Sequence, residues 1–166
     1  MSTAFDRGWG HPDERNYRKL HIAECDAGGE TIYVRTEIRY LVAGFINELV
    51  ANGYKIDKGP LDDWGYINRP IRGYETQWAK TRNLRYKSNH SWGLAFDINS
   101  RTNPLTTNGK LITDMPKPLV RHLCRKWGFT WGGDYTGLRK DAMHFEFMGR
   151  PSDVKKYPLA PVKKAA

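Results

Sequence analysis

Ser88-Asn89-His90-Ser91-Trp92-Gly93-Leu94-Ala95-Phe96-Asp97-Ile98-Asn99 is the stretch on which the reading of this chain turns. From Leu94 onward its residues alternate. Leu94, Phe96 and Ile98 share one face of an expected strand, and Ala95, Asp97 and Asn99 share the other, so one side packs while the other carries a carboxylate. Ala142-Met143-His144-Phe145-Glu146-Phe147-Met148 repeats the arrangement, with Phe145 and Phe147 on one face and His144 and Glu146 on the other. Two such strands side by side in one sheet would bring Asp97 and His144 together.

Outward from these strands, residues 37–52 place Ile38, Leu41, Val42, Phe45, Ile46, Leu49 and Val50 at helical spacing, and Gly53 follows the last turn. A second helix is expected over residues 118–127, with Leu119, Val120, Leu123, Cys124 and Trp127 inward, His122 read as solvated or packed and not as a ligand, and Gly128 as the stop. A short helix is expected over 74–81 and a strand over 31–34. Residues 57–70 read as an irregular loop, a turn-rich linker is expected after 129–134, and the first thirty residues read as polar and turn-rich. The fold class expected is α+β: a small, mostly antiparallel sheet carrying the Asp97 and His144 site on one face, with the two main helices packed on the other. One domain over residues 1–150 is expected, followed by a strap or linker over 151–166.

The 166 residues are 39% hydrophobic, 13% aromatic and 27% charged, the profile of a folded chain. A formal charge of +9 attracts polyanions such as nucleic acid, acidic membrane surface or an anionic wall, and it names no chemistry. No nucleic-acid-binding signature accompanies it, so no specific nucleic-acid partner is expected. Cys25 and Cys124 form no C-x-x-C pair and are read as reduced, Cys124 in the core. Neither a leader at the N-terminus nor a long apolar run is found, so synthesis in the cytoplasm without membrane insertion is expected.

His90, Asp97 and His144 supply the three ligands that a hydrolytic zinc ion takes while keeping a fourth position for water. By residue chemistry alone His144 could equally be a hydrogen-bonded core histidine, and the H-E-x-x-H helix signature is absent. The string from Ser88 to Asp97, however, fits S-x-H-x-x-G-x-A-x-D at all five specified positions. It resembles the signature of the zinc peptidases that include D-alanyl-D-alanine carboxypeptidases, D-Ala-D-Ala dipeptidases and phage L-alanyl-D-glutamate endopeptidases, a group related in fold to lysostaphin and the hedgehog signalling domain.

That resemblance implies one zinc ion held by His90, Asp97 and His144. It also implies a base at Asp141, three residues before the last ligand, where many carboxypeptidases have Glu and the phage endopeptidases Asp. Trp131-Gly132-Gly133-Asp134 resembles the family's approach to this strand. Arg72 and Gln77 keep the spacing of the family's Y-R-S-x-x-x-Q segment with altered flanks, and Arg72 is the candidate donor to the oxyanion, with a structural arginine as the alternative. Ser88 is assigned to orienting a ligand or touching substrate, Gly93 to the turn, and Ala95 to leaving room beside the metal. Glu146 is a support for a ligand imidazole or an alternative base. Trp92 and Trp131 wall the cleft or pack the core.

The expected function is thus a monomeric endolysin-like peptidase acting on bacterial peptidoglycan at the L-Ala–D-Glu bond of the stem peptide, after release to the wall by another protein. A D-Ala-D-Ala carboxypeptidase or dipeptidase of the same family is the alternative, followed by a wall-binding module without catalysis.

Overall fold

The computed structural model describes residues 2–57 and 64–158. Parts of the loop expected over 57–70 and of the strap or linker expected over 151–166 lie outside them. The chain is α+β, with small antiparallel sheets and a few helices.

Three strands make the central sheet: β3 (Ala95–Asp97), β5 (Phe129–Trp131) and β7 (His144–Phe147), in the order β3-β7-β5 and antiparallel throughout. Asp97 lies directly opposite His144 and Phe96 opposite Phe145, so the two polar faces read from the sequence coincide. The third strand has no counterpart in the sequence reading, which places only a turn-rich linker after residues 129–134. Its glycines follow it, and what makes it a strand is the pairing of Phe129 with Phe147 and of Trp131 with Phe145.

The back of this sheet is aromatic. Phe45 of α2 (Arg39–Ala51) meets Phe145 at 4.8 Å, Phe96 at 5.6 Å and Phe129 at 5.7 Å between ring centroids, distances at which edge and tilted contacts add to area burial. The helix buries Leu41, Val42, Ile46 and Leu49 with it, while Val50 at its end is exposed. Helix α4 (Lys117–Trp127) packs against α2 through Val120, Leu123, Cys124 and Trp127, and leaves His122 exposed. Both helices fall where periodicity put them, because each carries one continuous apolar stripe and a glycine or polar stop.

The opening segment is more ordered than its composition suggested. After α1 (Tyr17–His21), β1 (Ile22–Ala27) and β2 (Glu30–Arg35) form a hairpin that packs on α2. Strand β1 escaped notice because its inward residues are the small Cys25 and Ala27. Gly93 ties this hairpin to the central sheet. It adopts φ +70°, accepts the Arg35 N–H at 2.8 Å, and leaves no room for a Cβ, which would stand 2.6 Å from the Arg35 nitrogen.

Two elements complete the frame. Helix α3 (Glu75–Thr81) buries Trp78, and β4 (Leu105–Thr106) pairs with β6 (Lys140–Asp141) at the edge of the cleft. A 3-10 turn over Pro151–Lys156 buries Val154, and Tyr157 closes against Phe147 at 6.0 Å. Both cysteines are buried and unpaired, and burial pushes each thiol up to about 12. Among the described residues no helix is long and apolar enough to cross a membrane.

Phe45 joins the helix to three strands of the sheet that carries the site. Phe45→Ala should lower the unfolding free energy by about 3–5 kcal/mol, read from urea denaturation; a loss below about 1 kcal/mol would show that α2 does not hold the sheet.

Candidate metal centre and its cleft

The front face of the central sheet carries Asp97 and His144 as a directly opposed pair. His90 joins them from a 3-10 turn, Asn89–Trp92, which Ser88 caps by accepting the His90 N–H at 3.3 Å. All three residues are buried, and one ligand atom from each lies within 4.8 Å of the others. The three edges are 3.2 Å between His90 Nε2 and His144 Nδ1, 3.2 Å between His90 Nε2 and Asp97 Oδ1, and 2.9 Å between His144 Nδ1 and Asp97 Oδ1.

This triangle fits a metal ion. Ligands about 2.0–2.1 Å from a tetrahedral zinc stand roughly 3.3 Å from one another, and a His₂-carboxylate set with one open position is the catalytic kind. The far side of each imidazole supports the same reading. His90 Nδ1 lies 2.7 Å from the Gly65 carbonyl, which keeps the proton there and turns the Nε2 lone pair inward. His144 Nε2 lies 3.5 Å from Glu146 Oε2, leaving Nδ1 as its inward atom.

Electrostatics hold the cluster together. Burial would push the Asp97 carboxyl up, yet the charge of His90 and the hydrogen bond from His144 outweigh it and hold the group well below the usual carboxylate range. Burial would likewise lower His144, and its hydrogen bonds to Asp97 and Glu146 reverse the direction. Glu146 is half-buried; what burial it has would raise it, and contact with His144 and hydrogen bonds from Tyr135 and Asn89 bring it down to about 2.

Glu146 is fully engaged. Asn89 Nδ2 donates to Oε2 and Tyr135 Oη to Oε1, each at 2.6 Å, and Arg7 reaches Asn89 Oδ1 at 3.3 Å. Neither Tyr135, Asn89 nor Arg7 stood out in the sequence, because 57 residues separate Asn89 from Glu146 and 82 separate Arg7 from Asn89.

Asp141 has the opposite character. It lies on β6 with Oδ1 buried and without a hydrogen-bond partner among the described residues, and its nearest cation is Arg139, 3.8 Å from Oδ2. Burial raises its pKa, opposed by the charge of His144. Gly132 fixes its distance from β5: a Cβ there would stand 2.4 Å from the Asp141 carbonyl oxygen.

Around this centre opens a cleft of about 660 Å³, walled by Arg69, Arg72, Tyr135, Arg139 and the N-terminal turn that carries Arg7. His144, Asp97, Asp141, Glu146 and Ser88 all line it. Arg72 lines it from an exposed position. Gln77 does not join the site: α3 turns its Trp78 inward, and Gln77, one residue earlier on the helix, is left on the solvent side. Trp92 is buried and also borders the cleft, whereas Trp131 belongs to the core, stacked at 6.4 Å on Phe145.

Residues 81–147 match the family model described as D-alanyl-D-alanine carboxypeptidase. The match spans the three candidate ligands, Asp141 and Glu146, and bears out the resemblance read from the motif; Arg72 and Gln77 fall before it. No curated protein matches the chain.

The metal-free protein should bind one Zn²⁺ per chain and gain thermal stability by doing so, with EDTA reversing the gain. Competition with a chromophoric chelator should show loss of binding in His90→Ala and His144→Ala. Glu146→Gln, which leaves the three ligands in place, should weaken affinity about 10- to 100-fold.

Proposed function

We propose that this chain is a zinc-dependent endopeptidase of the bacterial cell wall that hydrolyses the L-Ala–D-Glu bond of the peptidoglycan stem peptide. The family match supports, at the level of the family, a metallopeptidase acting on peptidoglycan. The observation that carries a hydrolytic reading in this chain is the pairing of a buried His-Asp-His triangle with a free, buried carboxylate oxygen in the same cleft.

A bound zinc ion would polarise the scissile carbonyl and lower the pKa of an attacking water toward about 7. The protein's residues supply the rest. Oδ1 of Asp141 makes no hydrogen bond to a described residue, so it is free to accept the proton of the attacking water. Burial raises this carboxyl above its ordinary value, which suits a group that must next return the proton to the leaving amine. Glu146 is poorly placed to compete as base, since both of its oxygens already accept hydrogen bonds and Oε2 also faces His144. Arg72 is the proposed donor to the oxyanion of the tetrahedral intermediate, reaching in from the cleft rim. One water is consumed, the C–N bond breaks, and a carboxylate and an amine leave.

The aspartate at position 141 favours the L-alanyl-D-glutamate branch, which it resembles, and the net charge of +9 suits an anionic wall. The matched family, described as D-alanyl-D-alanine carboxypeptidase, favours a second reading, removal of a terminal D-alanine from the same stem. On either reading the protein meets its substrate at the wall, and an endolysin would be released there through a membrane lesion made by another protein.

Digestion of purified peptidoglycan followed by mass spectrometry separates the two: new amino termini on D-Glu that vanish on chelation support the endopeptidase, and free D-alanine supports the carboxypeptidase. Asp141→Asn should retain its zinc and lose about 10²- to 10⁴-fold in kcat, the usual contribution of a general base. An unchanged kcat would remove Asp141 from the mechanism.

A further inference from the structure

Three guanidinium groups, those of Arg69, Arg72 and Arg139, line the cleft close to Asp141, and Asp97 and the exposed Glu75 are the other carboxylates whose charge reaches them. Arg139 Nη1 donates to the Arg72 carbonyl at 3.4 Å, and its Nη2 lies 3.8 Å from Asp141 Oδ2, the outer limit of an ion pair. Arg69 donates from Nη1 to the Pro70 carbonyl at 3.1 Å, and its remaining guanidinium donors make no hydrogen bond to a described residue. Burial pulls the Arg69 guanidinium below its ordinary value; Asp97 and Asp141 oppose that, while Arg72 and Arg139 add to it.

The position of Arg69 is fixed against the metal centre. Its backbone N–H donates to Ser91 Oγ at 3.0 Å, and its carbonyl accepts from Ser91 Oγ at 2.9 Å and from the Ser88 N–H at 3.2 Å. Two residues earlier, the Ile67 N–H donates to the carbonyl of His90 itself at 3.2 Å. Arg69 is therefore in register with a candidate ligand, although the sequence gives no sign of it.

Gathering like charges in a partly desolvated cleft raises the energy of the empty protein, and an anion that enters recovers it. Guanidinium groups match a carboxylate, whose two oxygens take two parallel N–H donors. A stem peptide presents such an anion beside the bond to be cut. D-Glu is joined onward through its side-chain carboxyl, so its α-carboxylate is free on the carbon attached to the scissile nitrogen.

We propose that Arg69 and Arg139 form a subsite for the substrate carboxylate carried by the residue on the amine side of the scissile bond. This rests on the peptidase reading above and adds a specificity to it: stems with a free D-Glu α-carboxylate are preferred over stems in which that group is amidated. The two arginines act on binding at the amine side, whereas Asp141 and Arg72 act on the reacting atoms.

The test uses two synthetic stem peptides that differ only in carboxylate or carboxamide at this carbon, with zinc-loaded wild type, Arg69→Gln and Arg139→Gln. Wild type should favour the carboxylate about 10- to 100-fold in kcat/KM, the scale of a charge-assisted hydrogen bond. In each variant the ratio should fall toward 1. A ratio is unaffected by partial misfolding, because both substrates report on the same folded fraction. Variants that lose rate equally on both peptides while keeping the wild-type ratio would overturn the subsite, as would a wild type without preference.

Calorimetric binding of the two amine-side product peptides gives the same comparison without turnover, so a protein that failed to cleave either substrate would sink the peptidase reading and still decide the subsite. Should wild type release D-alanine, the bond assignment falls, and the same ratio measured on a C-terminal carboxylate against its amide decides the subsite.

Discussion

The cross-strand pair of Asp97 and His144 is the constraint from which the rest of the site follows. In an antiparallel pair, directly opposed residues point to the same face, so a one-residue slip of β3 against β7 would send one of the two into the aromatic core. Phe96 opposite Phe145 prevents that slip, since both rings are held on the back of the sheet by Phe45 of α2. The aromatic layer and the metal triangle are thus two sides of one register. His90 completes the triangle from outside the sheet, at the end of a turn that Gly93 alone can close against the Arg35 backbone.

Placing three titratable groups in a buried triangle is costly without compensation, and the surroundings supply it residue by residue. The Gly65 carbonyl fixes one imidazole and Glu146 faces the other, while Asn89 and Tyr135 satisfy Glu146 in turn. The two acidic residues nearest the last ligand therefore diverge in role. Glu146 sits on the same strand as His144 and is saturated with donors. Asp141 precedes the strand on a different two-stranded ladder and keeps one buried oxygen without a hydrogen-bond partner among the described residues. Sequence distance from His144 differs by a single residue between them; the ladder each belongs to decides what each can do.

Positive charge follows a similar division. Lys87 is buried against Asp13 at 2.9 Å, and Arg35 lies between the rings of Trp9 and Tyr17 with Glu37 at 2.9 Å, so these cations serve the frame. The cations beside Asp141 are held more loosely: Arg139 approaches its carboxylate only at 3.8 Å, and Arg69 keeps guanidinium donors that make no hydrogen bond to a described residue. A net charge of +9 describes the whole chain and does not separate these uses.

Much of this was legible in the sequence. The alternation in residues 94–99 and 142–148 placed Asp97 and His144 on polar strand faces, the stripes of Ile38–Val50 and Leu119–Trp127 gave both main helices, and the motif from Ser88 to Asp97 added His90. These signals are local: each depends on the period of one element or on residues ten apart. Strand β5, the hairpin partner β1, the Arg7–Asn89–Glu146 chain, the position of Arg69 and the exclusion of Gln77 were decided by tertiary structure. In each of these a residue's role is set by what lies across a ladder or a turn many residues away, and no period or spacing within one element encodes that.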